Sequence, residues 1–92
     1  MNRAPINGRG WCIFPGYRWC GPGCNGPGYP TNAVDACCMR HDLCLQQGRD
    51  RCYCDYMFLE CLRPYLDGPY PENRHARLMY HTIRLKTKFT CR

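Results

Sequence analysis

The hydrophobic pattern changes character along the chain. From residue 1 to Pro30 apolar residues keep neither a helical nor an alternating period. Pro5, Pro15, Pro22, Pro27 and Pro30 are interleaved with glycines, so no long helix fits there. After Pro30 the punctuation stops. Thr31 or Asn32 is a credible N-cap with Asp35 in the first turn, and helix-tolerant residues run on to Gly48, which predicts a helix over about 32–47. Asp50 caps a second predicted helix over about 51–63, stopped by Pro64. The connection between them is short, so the two helices are expected to be antiparallel. In the tail, Ala76, Met79, Tyr80 and Ile83 follow i, i+3, i+4, i+7 spacing, whereas Leu85, Thr87, Phe89 and Cys91 alternate with polar residues. That predicts a short C-terminal helix and then an extended end.

Cysteine changes this picture most. Ten of the 92 residues are cysteine, a density at which cross-links supplement a core that cannot grow large. The expected class is a small, mainly α, disulfide-rich protein in a single domain over residues 1–92. The same usage implies an oxidising or secreted setting, although Met1 to Pro5 carry no apolar leader segment.

The cysteines also orient the helices. Cys37, His41 and Cys44 share one face of the first helix, and Cys54 and Cys61 are likewise seven apart on the second. If the helices are antiparallel, Cys37 with Cys61 and Cys44 with Cys54 have equal index sums, as a two-rung ladder requires. His41 then lies between the rungs, near Met57, with Asp55 on the flank. A histidine held against a carboxylate is an oriented base. Cys38 and Asp42 occupy an adjacent face. If Cys20 pairs with Cys38, that face meets the glycine loop, whose carbonyls converge near the Asp42 carboxylate. A hard cation taking roughly 6 to 8 oxygen ligands suits such a nest, and calcium is the natural occupant.

These residues carry a resemblance. Trp19-Cys20-Gly21-Pro22-Gly23 resembles the calcium loop of the secreted phospholipases A2. Asp35-Ala36-Cys37-Cys38-Met39-Arg40-His41-Asp42-Leu43-Cys44 resembles that family's catalytic helix, and Cys52-Tyr53-Cys54-Asp55 through Cys61 its second long helix. The resemblance implies calcium-dependent hydrolysis of the sn-2 ester of glycerophospholipids. His41 would activate a water, Asp55 would fix its imidazole, and the Gly21 N–H would help stabilise the oxyanion. Asp42 and the backbone oxygens of Trp19, Gly21 and Gly23 would hold Ca2+. It also implies the bridges Cys20 with Cys38, Cys37 with Cys61 and Cys44 with Cys54. Cys12, Cys24, Cys52 and Cys91 remain, with Cys12–Cys91 and Cys24–Cys52 favoured.

Departures from the family narrow the expectation. The amphipathic first helix of larger members is missing, and only Leu45 to Arg51 separates Cys44 from Cys52. Leu45 stands where many members have a tyrosine that bonds the second-helix aspartate, so Asp55 needs another partner.

Other features admit plainer readings. Trp11, Phe14, Tyr17 and Trp19 are either an interfacial patch or core filling, and filling is slightly favoured. Phe58, Leu59 and Leu62 line an acyl slot or pack between helices, and His75 and His81 are expected in solvent. The net charge of +6 is concentrated in Arg74, Arg77, Arg84, Lys86, Lys88 and Arg92, which suits an anionic lipid surface or is a solvated face. An anionic phospholipid surface is the expected partner, with no nucleic acid, for a monomeric chain. Zinc is disfavoured because the spacings are CxxxC, CC and CxC rather than paired CxxC knuckles. The remaining alternative is a catalytically silent relative that binds a membrane or receptor.

Overall fold

The computed structural model describes residues 11–91. Three helices follow in order: α1 over Ala33–Gln46, α2 over Arg51–Leu62 and α3 over Pro71–Thr90, with a 3-10 turn over Arg63–Tyr65 between the last two. No strand forms among the described residues. The expected mainly α, disulfide-rich class is the one found. Readings placed on Met1 to Pro5 and on Arg92 lie outside the described residues.

Local chemistry sets the helix ends. The Asn32 side chain accepts the Asp35 N–H at 2.8 Å to start α1, and the Asp50 carboxylate accepts the Tyr53 N–H at 3.0 Å to start α2. Each such cap contributes about 1 kcal/mol. Gly48, at φ +76°, turns the chain out of α1 in a conformation that L side chains resist. Pro71 occupies the first turn of α3, where its missing N–H costs nothing. Asn73 then accepts the Tyr70 N–H and donates to the Tyr65 carbonyl, tying the start of α3 to the 3-10 turn that follows α2.

The C-terminal end departs from expectation. Instead of a short helix and an extended tail, α3 continues for 20 residues to Thr90. The stripe of Ala76, Met79 and Tyr80 is prolonged by Thr87, all buried, while Leu85 and Phe89 stand outward four apart. Four residues of alternation are compatible with either period, and packing of the longer stripe decides for the helix.

Five disulfides close the structure, and they fit an oxidising or secreted setting. Cys20–Cys38, Cys37–Cys61 and Cys44–Cys54 form as expected. The other four cysteines pair as Cys12–Cys24 and Cys52–Cys91, correcting the favoured Cys12–Cys91 and Cys24–Cys52. The loop doubles back on itself, with Trp11 N–H on the Pro22 carbonyl and Ile13 N–H on the Cys20 carbonyl, which lays Cys12 beside Cys24. The extra turns of α3 meanwhile return Cys91 to the start of α2.

The core joins Val34, Cys37 and Cys38 of α1, Phe58, Leu59 and Leu62 of α2, and Ala76, Met79 and Tyr80 of α3, with Phe14 and Tyr17 from the loop. Phe14 and Tyr17 are therefore filling, whereas Trp11 faces outward at 60% exposure. His75 is not a solvated side chain. Its ring stacks on Phe14 at 3.8 Å between centroids, and its Nδ1 is hydrogen-bonded to the Tyr17 hydroxyl at 2.8 Å. Burial, helped by the nearby Arg74 cation, pushes its pKa below the ordinary value, and burial raises that of Tyr17. Both shifts favour a neutral pair. His81 is exposed, as expected. No helix among the described residues is long and apolar enough to cross a membrane.

Candidate active site

The bridges Cys37–Cys61 and Cys44–Cys54 clamp α1 to α2 on either side of His41. Its Nε2 lies 2.7 Å from Asp55 Oδ1, its ring tilts against Phe58 at 4.8 Å, and it shares a cleft between the two bridges with the half-exposed Met57. Asp55 has no exposed surface. Its second oxygen lies 2.8 Å from Lys86 Nζ on α3. Burial alone would raise the pKa of Asp55. The hydrogen bonds of Lys86 and His41 and the positive charge of Lys86 outweigh it and hold the carboxyl below its usual value. An ionised carboxylate only accepts, so the His41 hydrogen sits on Nε2 and Nδ1 is the nitrogen free to take a proton.

Lys86 is thus the partner that Leu45 fails to supply. The pattern offers one signal for it: Lys86 falls three residues after Ile83 and seven after Met79, on the edge of the buried stripe. A cation at a buried edge needs an anion.

Asp42 presents the opposite condition. Its Oδ2 is buried with no hydrogen-bond partner among the described residues, and its pKa is pushed up to about 7, first by burial and then by the charge of Asp35. The glycine loop stands over it. At φ +137°, Gly21 occupies a conformation that L side chains rarely adopt, and a Cβ there would run into the Trp11 carbonyl. Among the described residues the carbonyls of Trp19 and Gly23 accept no hydrogen bond and the Gly21 N–H donates none, while the Gly21 carbonyl accepts the Cys24 N–H at 3.0 Å and keeps a second lone pair.

The loop is pinned by a residue that its sequence role as a first-turn acid did not disclose. Asp35 is fully buried, and its carboxylate accepts the backbone N–H groups of Arg18, Trp19 and Thr31 at 3.0, 2.9 and 2.8 Å. Its sequence signal is position: Asp35, Cys38 and Asp42 share one face of α1, and that face meets the loop.

A buried carboxylate oxygen with no partner among the described residues, in one pocket with Trp19, Gly21 and Gly23, fits a hard cation of the calcium kind. Among the described residues no three His, Cys, Asp or Glu side chains gather into a metal cluster. Asp42 would therefore be the one charged ligand, and backbone oxygens would supply the rest.

Both halves open into one pocket of about 470 Å3, with His41, Asp42, Trp19, Gly21 and Gly23 around it and Phe58, Leu78, Met79 and Ile83 as apolar walls. That volume lies within the roughly 300 to 1,000 Å3 usual for small-molecule sites. Leu59 and Leu62 pack in the core instead, so of the three residues read as an acyl slot only Phe58 lines the pocket.

The sequence model of the phospholipase A2-like domain matches residues 9–62. The chain belongs to this family. The matched part of the phospholipase A2-like domain contains His41, Asp42, Asp55 and the glycine loop. Lys86 and the Leu78–Ile83 wall lie beyond it on α3. No curated protein and no solved structure matches the chain.

Proposed function

We propose that this phospholipase A2-like domain hydrolyses the sn-2 ester of glycerophospholipids with calcium, releasing a fatty acid and a lysophospholipid. One observation carries the reading: His41, bonded from behind to Asp55, and Asp42, whose Oδ2 has no partner among the described residues, border the same apolar-walled pocket. Family membership supports it.

In this reading His41 Nδ1 takes a proton from a water as that water attacks the ester carbonyl. Asp55, kept ionised by Lys86, stabilises the imidazolium that forms. The unengaged Gly21 N–H points its dipole at the developing oxyanion. As the intermediate collapses, the proton on Nδ1 passes to the departing glycerol oxygen, so water is consumed and one acid and one alcohol result. Asp42 with the carbonyls of Trp19, Gly21 and Gly23 would hold calcium, which when bound supplies further charge stabilisation to the oxyanion. The apolar walls take the acyl chain and exclude bulk water.

Fatty acid release from phospholipid vesicles, measured with calcium and with EDTA, tests the reading. Release with calcium alone is expected. His41→Gln should abolish turnover and leave calcium affinity nearly unchanged. No release by the unaltered chain under either condition would leave a silent lipid- or receptor-binding relative as the better description.

A further inference from the structure

Helix α3 buries Ala76, Met79, Tyr80 and Thr87 against the rest of the molecule, yet its opposite side is not polar. Leu78, Leu85 and Phe89, spaced by seven and four residues, fall on one outward line and are 58%, 58% and 71% exposed. A helix whose outer face had only to meet water would carry polar groups there. The line is continuous with the pocket, because Leu78 and the neighbouring Thr82 also line it. Across the mouth, Ile13 of the loop lines the same pocket and is 41% exposed.

One border of the apolar line is cationic. Arg74, Arg84 and Lys88 follow one another around that side of the helix, all exposed, and none of the three forms an ion pair among the described residues. A line of large apolar groups edged by cations is the pattern of helices that lie in the headgroup layer of an anionic membrane. It is a poor pattern for self-association, since a two-fold contact through this face would bring the same cations together.

We propose that the outer face of α3 is the surface on which this chain docks to an anionic phospholipid layer. Leu85 and Phe89 enter among the headgroups, Arg84 and Lys88 meet their phosphates, and Leu78 stands where a lipid leaves the layer for the pocket. The identity of the pocket's occupant rests on the hydrolase reading, whereas docking is measurable without turnover.

Co-sedimentation in EDTA, with vesicles of phosphatidylcholine alone or mixed with phosphatidylglycerol, tests the docking. The chain should bind the mixed vesicles and bind pure phosphatidylcholine weakly. Leu85→Ser with Phe89→Ser should weaken binding more than about tenfold, and Arg84→Glu or Lys88→Glu by about fivefold or more each. Phe89→Trp guards against loss of fold: on mixed vesicles its added emission should shift to the blue and be quenched by brominated lipid. Unchanged binding by the double variant, or a residue-89 tryptophan that keeps its aqueous emission on bound protein, overturns the proposal. So does a concentration-dependent dimer that the double variant abolishes.

Hydrolysis of a short-chain phospholipid dispersed as monomers separates the two readings. If the double variant keeps that rate and loses only the vesicle rate, both stand. If the unaltered chain hydrolyses neither substrate while the double variant loses binding, docking stands and the hydrolase reading falls.

Discussion

A carboxylate with no exposed surface stays ionised only where partners answer it, and Asp55 has two, the Lys86 ammonium from α3 and the His41 ring N–H from α1. Replacing Lys86 by methionine keeps the length and apolar stem and removes the charge. We expect kcat to fall roughly ten- to a hundredfold with KM little changed, and Lys86→Arg to recover most of it; a loss confined to KM would mean that α3 had merely shifted. Asp35→Asn should act on the other half of the site. It weakens the bonds holding Arg18, Trp19 and Thr31, so calcium affinity measured by titration calorimetry should drop about tenfold. His41, Asp42 and Asp55 were legible because they lie within helices whose cysteines declare the faces. Lys86 and Asp35 were not, because each acts on a segment distant in sequence, and nothing local states which segment arrives.

At the scale of elements, α1 and α2 were readable from caps and punctuation, with Asn32, Gly48, Asp50 and Pro64 marking their limits to within a residue or two. The end of α3 was not. Alternation at Leu85, Thr87, Phe89 and Cys91 imitates a strand, and only the partner of Thr87 and Cys91, which is the flank of α2, shows that the helical period continues. The pairing of the last four cysteines failed for the same reason, since it depends on where the end of α3 comes to rest. Cys52–Cys91 closes 39 residues of separation and fastens that end. Substituting both cysteines by serine should cost about 2 to 4 kcal/mol in denaturant unfolding. Amide exchange should rise in the last turns of α3 and stay low in α1; equal rises in both would mean that the bridge supports the whole core.

For the molecule as a whole, two half-buried groups, Asp42 and His75, pull stability in opposite directions with pH. The folded pKa of Asp42 is raised to about 7, so the folded state holds its proton more tightly than the unfolded chain, and that contribution is lost as pH rises from the ordinary aspartate value toward 7. The folded pKa of His75 is depressed, so its contribution is present above the ordinary histidine value and is lost as pH falls through the folded one. Calcium bound as proposed would answer the first and not the second. Scanning calorimetry should therefore show calcium raising Tm more at about pH 8 than at about pH 5, where protons compete for Asp42; an equal rise would place the ion elsewhere. The shape of α3 adds a mechanical consequence. Leu85 and Lys86 are consecutive residues of one rod, the first facing outward and the second reaching Asp55. If α3 docks as proposed, any roll of that rod that seats Leu85 deeper in a bilayer would also reset the distance from Lys86 to Asp55, so grip on the surface and alignment of the proposed base would move on a single lever.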